Sequence, residues 1–170
     1  MIDGVPQEGL YATDIVNHWD LGFEFFNDRE KFNIQFIEAD ILNPTDTLTA
    51  LYGKIDVVLV SHLLHQWGWD TQIRACKQFC NLSQPGSLIV GYQTGTNNIE
   101  KRSEWNKTRF FMHDPESFKR LWDQVGQETG TQWQGQAEIR PWTELGYTDE
   151  ETGYLGEDFS LLRFVVKRLN

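Results

Sequence analysis

No apolar run in the sequence approaches the roughly 20 residues needed to span a bilayer. Residues 1–8 show no basic start followed by an apolar stretch, so no secretion signal is read there. Basic charge is scarce: 15 Lys and Arg stand against 25 Asp and Glu, a formal net charge of −10. The two signs are mixed along the chain and no basic stripe forms. Unassisted binding to a nucleic-acid backbone or an anionic membrane is therefore disfavoured, and a neutral or weakly charged small molecule is the expected partner. Cysteine is nearly absent. Cys76 and Cys80 are four apart, on one face of any helix that carries them. They read as two small buried apolar side chains rather than a metal or redox pair. No metal is expected, and the cysteine usage suits a reducing, cytoplasmic setting.

What the chain does have is aromatic side chains, including 7 Trp and 11 Phe. Several fall at strand ends and in loops, where they would line a pocket for an apolar ligand. The length of 170 residues predicts one domain, with a lid or insert at about 94–113. Strand-like and helix-like segments alternate. Strands are predicted at 10–15, 33–40, 55–61, 87–92, 133–142 and 161–167, the last two as an antiparallel pair. The run at 55–61 is almost continuously β-branched or aliphatic, as in a strand buried on both faces of a parallel sheet. Helices are predicted at 20–27, within 44–52 (capped by Thr45 or Asp46), from a cap at Asp70, and after Asp114. The last begins with a cap, Pro115 and Glu116, and presents Phe118, Leu121, Trp122 and Val125 as its apolar stripe. Residues 81–86 read as a break, and 94–111 as a long irregular loop. This order predicts an α/β fold with a mostly parallel sheet, antiparallel at its C-terminal strands.

Ligands on such sheets sit beyond the C-terminal strand ends. That rule selects Asp14, Asp40, residues 61–69 and residues 92–95. Asp14 closes the first strand, where a carboxylate either accepts bonds from ribose hydroxyls or caps the next turn. Asp40, beside Ile41 and Leu42, closes the second and suits an adenine or a turn. The stretch Ser61-His-Leu-Leu-His-Gln-Trp67 and on to Trp69 is the richest. Histidine titrates near neutrality, so His62 and His65 are each a candidate general acid or base, or a capping residue. His113 faces the same pocket or bonds at the helix entry. Trp67, Trp69, Tyr92, Arg109 and Phe111 are candidates for substrate contact.

The runs Tyr11-Ala-Thr-Asp-Ile-Val16, Phe36-Ile-Glu-Ala-Asp-Ile-Leu42, Ser61-His-Leu-Leu-His-Gln-Trp67, Pro85-Gly-Ser-Leu-Ile-Val-Gly91 and His113-Asp-Pro-Glu-Ser-Phe118 together resemble the fungal class I S-adenosylmethionine (SAM) dependent small-molecule methyltransferases of terpenoid and polyketide pathways. The resemblance covers nearly the whole chain. It implies a three-layer Rossmann-like fold, with SAM held by Asp14, Ile15, Asp40, Ile41 and Ser61, and with His62, His65 and His113 on the catalytic side.

One departure is large. In that family a strand and a glycine-rich loop precede the first strand found here, and the loop holds the methionine end of SAM. Such a unit needs about 30 residues, and only eight precede Gly9. The fold is therefore expected to be truncated at its first βα unit, with a gap in the sheet. Two interlocked copies, a full-length methyltransferase partner, or a rearrangement making the strands near Leu10 and Ile55 neighbours would fill it. Three functions are open. The favoured one is cofactor-independent cyclisation or pericyclic isomerisation of a terpenoid or polyketide intermediate. The alternative is SAM-dependent O- or C-methylation with the missing segment present elsewhere, and the third is a non-catalytic partner subunit.

Overall fold

The predicted strands form, but in two sheets: β1-β2 and β3-β4-β6-β5. The structure is a computed structural model and describes residues 7–32, 34–98, 110–155 and 158–170. The chain divides into two compact units, Met1–Leu51 and Tyr52–Asn170.

In the first unit, β1 (Tyr11–Asp14) and β2 (Gln35–Glu38) are parallel, in the register Tyr11↔Gln35 to Asp14↔Glu38. Between them runs α1 (Trp19–Phe26), which ends where Asn27 takes a left-handed conformation. Trp19 packs against Phe23 and Phe36, at ring-centroid distances of 5.5 and 6.2 Å. No residue of α1 is fully buried, and Leu21, Phe25 and Phe26 are exposed. The short α2 (Asp46–Thr49) is capped by Thr45, whose hydroxyl accepts from Leu48 N at 3.4 Å. Of the two caps predicted, Thr45 is the one used.

In the second unit, β3 (Ile55–Ser61) pairs parallel with β4 (Ser83–Gly95), and β6 (Ser160–Arg168) lies antiparallel between β4 and β5 (Trp133–Arg140). Because β6 is reversed against both neighbours, β5 runs in the same direction as β3 and β4. The helices α3 (Trp69–Leu82) and α4 (Pro115–Thr129) bury Ile73, Cys76, Phe79 and Cys80 from one, and Phe118, Leu121, Trp122 and Val125 from the other. The strands add Ile89, Leu162, Phe164 and Val166 to this core. Phe118 meets Phe164 at 4.6 Å, and Trp122 meets Trp133 at 4.7 Å. Gly91 is needed where the strands crowd: a Cβ there would lie 2.0 Å from the Val60 carbonyl oxygen. Arg168 donates to the carbonyls of Cys80 and Ser83 at 2.9 and 2.7 Å, tying the end of β6 to the α3–β4 corner.

Several boundaries differ from the sequence reading. The cap of α3 is Gly68, and Asp70 sits in the first turn instead, where its charge still favours the positive helix end. Residues 81–86 do end the helix, at Leu82, but no loop separates it from β4, which begins at Ser83 rather than Ser87. They fall at the end of α3 and in an irregular start to β4, where the register shifts and the Ser87 hydroxyl bridges Gln84 N (2.9 Å) and the Ile55 carbonyl (2.7 Å). The strand continues past Tyr92 to Gly95. β1 and β3 are not neighbours in either sheet. Most consequentially, β3 is not buried on both faces. It is the edge strand of its four-stranded sheet, and Val57 and Leu59 are 54% and 69% exposed. The reading of α4 is reproduced in full: Ser117 N donates to Asp114 Oδ1 at 2.6 Å, with Pro115 in the first turn.

The two faces of the sheet should respond differently to truncation. Ile89→Ala, at a fully buried site, is expected to lower the unfolding free energy by about 2–5 kcal/mol. Leu59→Thr should stay within roughly 0.5 kcal/mol. Urea denaturation checks both, and an equal loss at Leu59 would show that it is covered in solution.

Candidate functional site

The C-terminal end of β3 delivers the chain into an unusual backbone conformation. His62 has φ +49°, in the left-handed region that non-glycine residues rarely occupy. It is held there from three sides. Its N–H donates to the Tyr92 carbonyl at 2.9 Å, extending the β3–β4 ladder. Its carbonyl accepts from Gln66 Nε2 at 2.7 Å. Its ring packs edge-on to Tyr92 (5.0 Å, 81°) and His65 (6.0 Å, 84°), and nearly parallel to Trp142 (6.0 Å, 12°). Trp142 in turn meets Tyr147 at 6.2 Å. Strain held by surrounding contacts is a frequent mark of a functional position.

Electrostatically this cluster is neutral. Burial lowers the pKa of His62, and burial followed by the nearby His62 pushes that of His65 down to about 4. Both rings are therefore unprotonated at neutral pH. Beside the cluster, Arg140, Arg163, Glu138 and Glu144 form a closed ion-pair group, with Arg140–Glu138 at 2.7 Å and Arg163–Glu144 at 3.4 Å. Three buried polar atoms here have no hydrogen-bond partner among the described residues: His65 Nδ1, Trp142 Nε1 and Arg140 Nε. A neutral imidazole on a strained backbone can accept a proton from a substrate hydroxyl or orient it by hydrogen bonding.

The other candidates named from sequence separate from this cluster. His113 is fully buried, with Nδ1 3.0 Å from Ser117 Oγ and Nε2 3.0 Å from Gln72 Oε1. The Gln72 amide nitrogen donates to the carbonyls of Trp67 and Phe111, both at 2.8 Å, so its oxygen faces the ring and His113 Nε2 is the donor. Trp69 packs on Phe111 (5.1 Å) and His113 (5.6 Å), and its indole N–H donates to Gln124 at 2.8 Å. His113, Trp69, Phe111 and the Trp67 backbone thus form one packed, bonded joint at the entry of α4. Ser61 is exposed at the end of β3, in register with Tyr92. Arg109 lies outside the described residues. Cys76 and Cys80 are unpaired and buried, and burial pushes both thiols up, Cys80 to about 11.

In the first unit, Asp14 is exposed at the end of β1, and its Oδ1 accepts from Ile15 N at 2.7 Å. It rims a cavity of about 260 Å³ walled by Trp19, Phe23, Phe26, Phe32 and Phe36. Ile15 is exposed. Asp40 closes a turn: its two oxygens accept from Leu42 N (2.8 Å) and Asn43 Nδ2 (2.7 Å), with Ile41 half-buried between.

Sequence reasoning missed Trp142. The signal was available in principle, because the strand-end rule applies to β5 as well, but it needs the direction of β5, which only the pairing with β6 supplies.

Comparisons with known proteins agree with this architecture. No protein-family model matches the chain. It is 38% identical over 155 residues to the O-methyltransferase phiE of a fungal species, covering 88% of this chain and 51% of that protein. It is 34% identical over 143 residues to the O-methyltransferase atr3 of Stereocaulon alpinum (81% and 41%). The methyltransferase adrK of Penicillium rubens is 35% identical over 133 residues (75% and 48%). The chain spans about half the length of these curated relatives. Among solved structures, phosphoethanolamine N-methyltransferase 2 of Haemonchus contortus, in complex with S-adenosyl-L-methionine, matches with TM-score 0.64 at 9% identity, over 95% of this chain and 44% of that one. The [4+2]-cyclase SpnF matches with TM-score 0.63 at 8% identity, over 94% and 66%. At such identities the likeness shows the Rossmann-like methyltransferase fold alone.

Two outcomes follow from the geometry. The unfolded chain takes up a proton at His65 below its ordinary pKa of about 6.5, while the folded chain resists until about 4. This contribution to stability is complete above pH 6.5 and is lost as pH falls from 6.5 toward 4. Urea midpoints at pH 7.5 and 4.5 should differ less in His65→Gln than in the parent chain; an identical difference would count against it. Gln72→Leu should destabilise by roughly 1–3 kcal/mol for each buried group left unpaired, and a loss near zero would show that water replaces the amide.

Proposed function

We propose that this chain, a relative of the fungal methyltransferases, carries the substrate side of a methyltransferase-like enzyme of fungal specialised metabolism, with His62 as the proton acceptor for a substrate hydroxyl. The observation that carries the reading is the neutral His62 ring, held on a left-handed backbone at the C-terminal end of β3 among Tyr92, His65 and Trp142. Its relatives are methyltransferases, which weighs toward O-methylation. The two units are read as parts of one methyltransferase-like domain, since single solved methyltransferases match across most of the chain.

The chain's residues fit SAM in part. Asp14, exposed at the end of a parallel strand and rimming an aromatic cavity, has the carboxylate to hold ribose hydroxyls. Asp40 meets adenine less freely, because both its oxygens already close a turn. When bound, SAM supplies an electrophilic methyl group. The chain's own contribution is positional. The Gln66 amide and the Tyr92 carbonyl fix the His62 backbone, the flanking rings fix the imidazole, and burial keeps it unprotonated so that a ring nitrogen can take the hydroxyl proton as the oxygen becomes nucleophilic.

A second reading is cofactor-independent cyclisation. It is favoured by one observation, that a [4+2]-cyclase shares this fold, and by the sufficiency of orientation and one or two hydrogen bonds for such a step. A non-catalytic subunit is the remaining alternative. For partners, the exposed Val57 and Leu59 on the edge strand support a second copy or a longer methyltransferase at that edge. No helix among the described residues is long and apolar enough to cross a membrane. The two unpaired, buried cysteines support a cytoplasmic setting.

Titration of the purified chain with SAM discriminates. Binding detectable at or below millimolar SAM, with S-adenosylhomocysteine released in the presence of a phenolic acceptor, is the expected result. No heat at millimolar SAM would overturn autonomous methyl transfer. His62→Ala should lower kcat by roughly 10²–10⁴-fold with KM little changed; unchanged kcat would remove His62 from the chemistry.

A further inference from the structure

Two buried polar atoms without partners lie on rings packed against the same imidazole: His65 Nδ1 and Trp142 Nε1, each ring about 6.0 Å from that of His62. Native structures pair nearly all such atoms, so two on rings that both pack against one strained residue point to a ligand that completes them. We propose that His62, His65 and Trp142 form the binding site for an uncharged, flat hydroxy-carbonyl compound, with the Trp142 indole as its wall and hydrogen-bond donor. The inference rests on the reading of the His62 cluster as the substrate site and names the class of substrate.

Each attribute of the ligand has its own cause. The indole N–H is a donor only, so the ligand must present an acceptor oxygen to Trp142. A neutral imidazole nitrogen is donor or acceptor according to tautomer, so His65 Nδ1 is met by either a hydroxyl or a carbonyl. A flat ligand follows from the near-parallel planes of His62 and Trp142, 12° apart, against which a planar conjugated system continues the stack. An uncharged one follows from the neighbouring charges. Arg140 pairs with Glu138 (2.7 Å) and Glu144 (3.6 Å), and Arg163 pairs with Glu138 and with Glu144 (3.4 Å), so two arginines and two glutamates beside the cluster balance in charge, and the one N–H left over, Arg140 Nε, takes an acceptor oxygen rather than a further carboxylate. Burying an ionised ligand beside neutral rings would leave its charge uncompensated. Trp142 enters from a 3-10 turn (Trp142–Leu145) that follows β5, outside the buried cores of α3 and α4.

The test uses 6-acetyl-2-naphthol as a flat, uncharged probe. Its comparators are 6-hydroxy-2-naphthoate, which is charged, and 4-acetylcyclohexanol, which is not flat. Calorimetry should show the first binding at least tenfold more tightly than either comparator. The indole N–H signal of Trp142, identified by its loss in Trp142→Phe, should shift in ¹H–¹⁵N spectra as the probe is added. Trp142→Phe, which keeps the ring and removes the donor, should weaken the probe about tenfold, equivalent to ~1.4 kcal/mol. Trp142→Ala should weaken it further. Absence of binding at millimolar probe, equal affinity for all three compounds, or an unshifted Trp142 signal would each overturn the inference. These outcomes are separable from the proton-acceptor role. Probe binding with a Trp142 shift, together with unchanged kcat in His62→Ala, would uphold the ligand class and overturn the proposed function. The reverse pattern would do the opposite.

Discussion

The buried amide of Gln72 is the constraint on which the site's surroundings depend. It lies on α3 at no solvent exposure and makes three bonds: to the Trp67 carbonyl, the Phe111 carbonyl and His113 Nε2. One side chain therefore joins the segment after β3, the segment before α4, and the first turn of α4 through Ser117. An unpaired buried carbonyl costs more than a satisfied one gains, so the three partners are obliged to stay where the amide can reach them. This is why the residues just beyond His62 and His65 hold their course, and why the strained His62 does not relax by swinging its loop outward.

That joint also decides which histidines are available. His113 has both ring nitrogens engaged by Ser117 and Gln72, and the ring is packed on Phe111, Trp69 and Phe118. His62 and His65 lie on the other side of the same loop, where they meet Tyr92 and Trp142 and keep nitrogen atoms open. The division follows from geometry. Two histidines three apart at a strand end stay at the rim, whereas one that precedes a capped helix is drawn inward with the cap.

Much of this was legible in the sequence. The β-branched run at 55–61, the cap and proline that open α4, and the apolar stripe on that helix are local patterns with local causes, and each element formed where predicted. The strand-end rule found His62, His65 and Tyr92 together. What could not be read is what depends on partners distant in sequence. Asp70 looks like a cap, but the helix begins two residues earlier, at Trp69, with Gly68 in the cap position. Residues 57 and 59 look like core, but β3 ends its four-stranded sheet, and both side chains are exposed among the described residues. Trp142 looked like the end of a strand, because the direction of β5 is set by β6, which follows it in the chain.

The reversed strand has one more effect. Since β6 runs against β5, the connection between them, residues 141–159, starts and finishes at the same rim of the sheet. Every other described crossover in this unit returns through a helix that belongs to the core. This one does not, and it is pinned at its two ends: Trp142 lies on His62 and Glu144 pairs with Arg163 at 3.4 Å, while Thr96 and Asn98 bond to Asp158 at 2.7 Å. Insertions, deletions and substitutions along it can reshape the ceiling over His62 while leaving α3 and α4 as they are. Sequence variation there is thereby separable from the packing of α3 and α4, while Trp142 at its start still bears on the His62 ring.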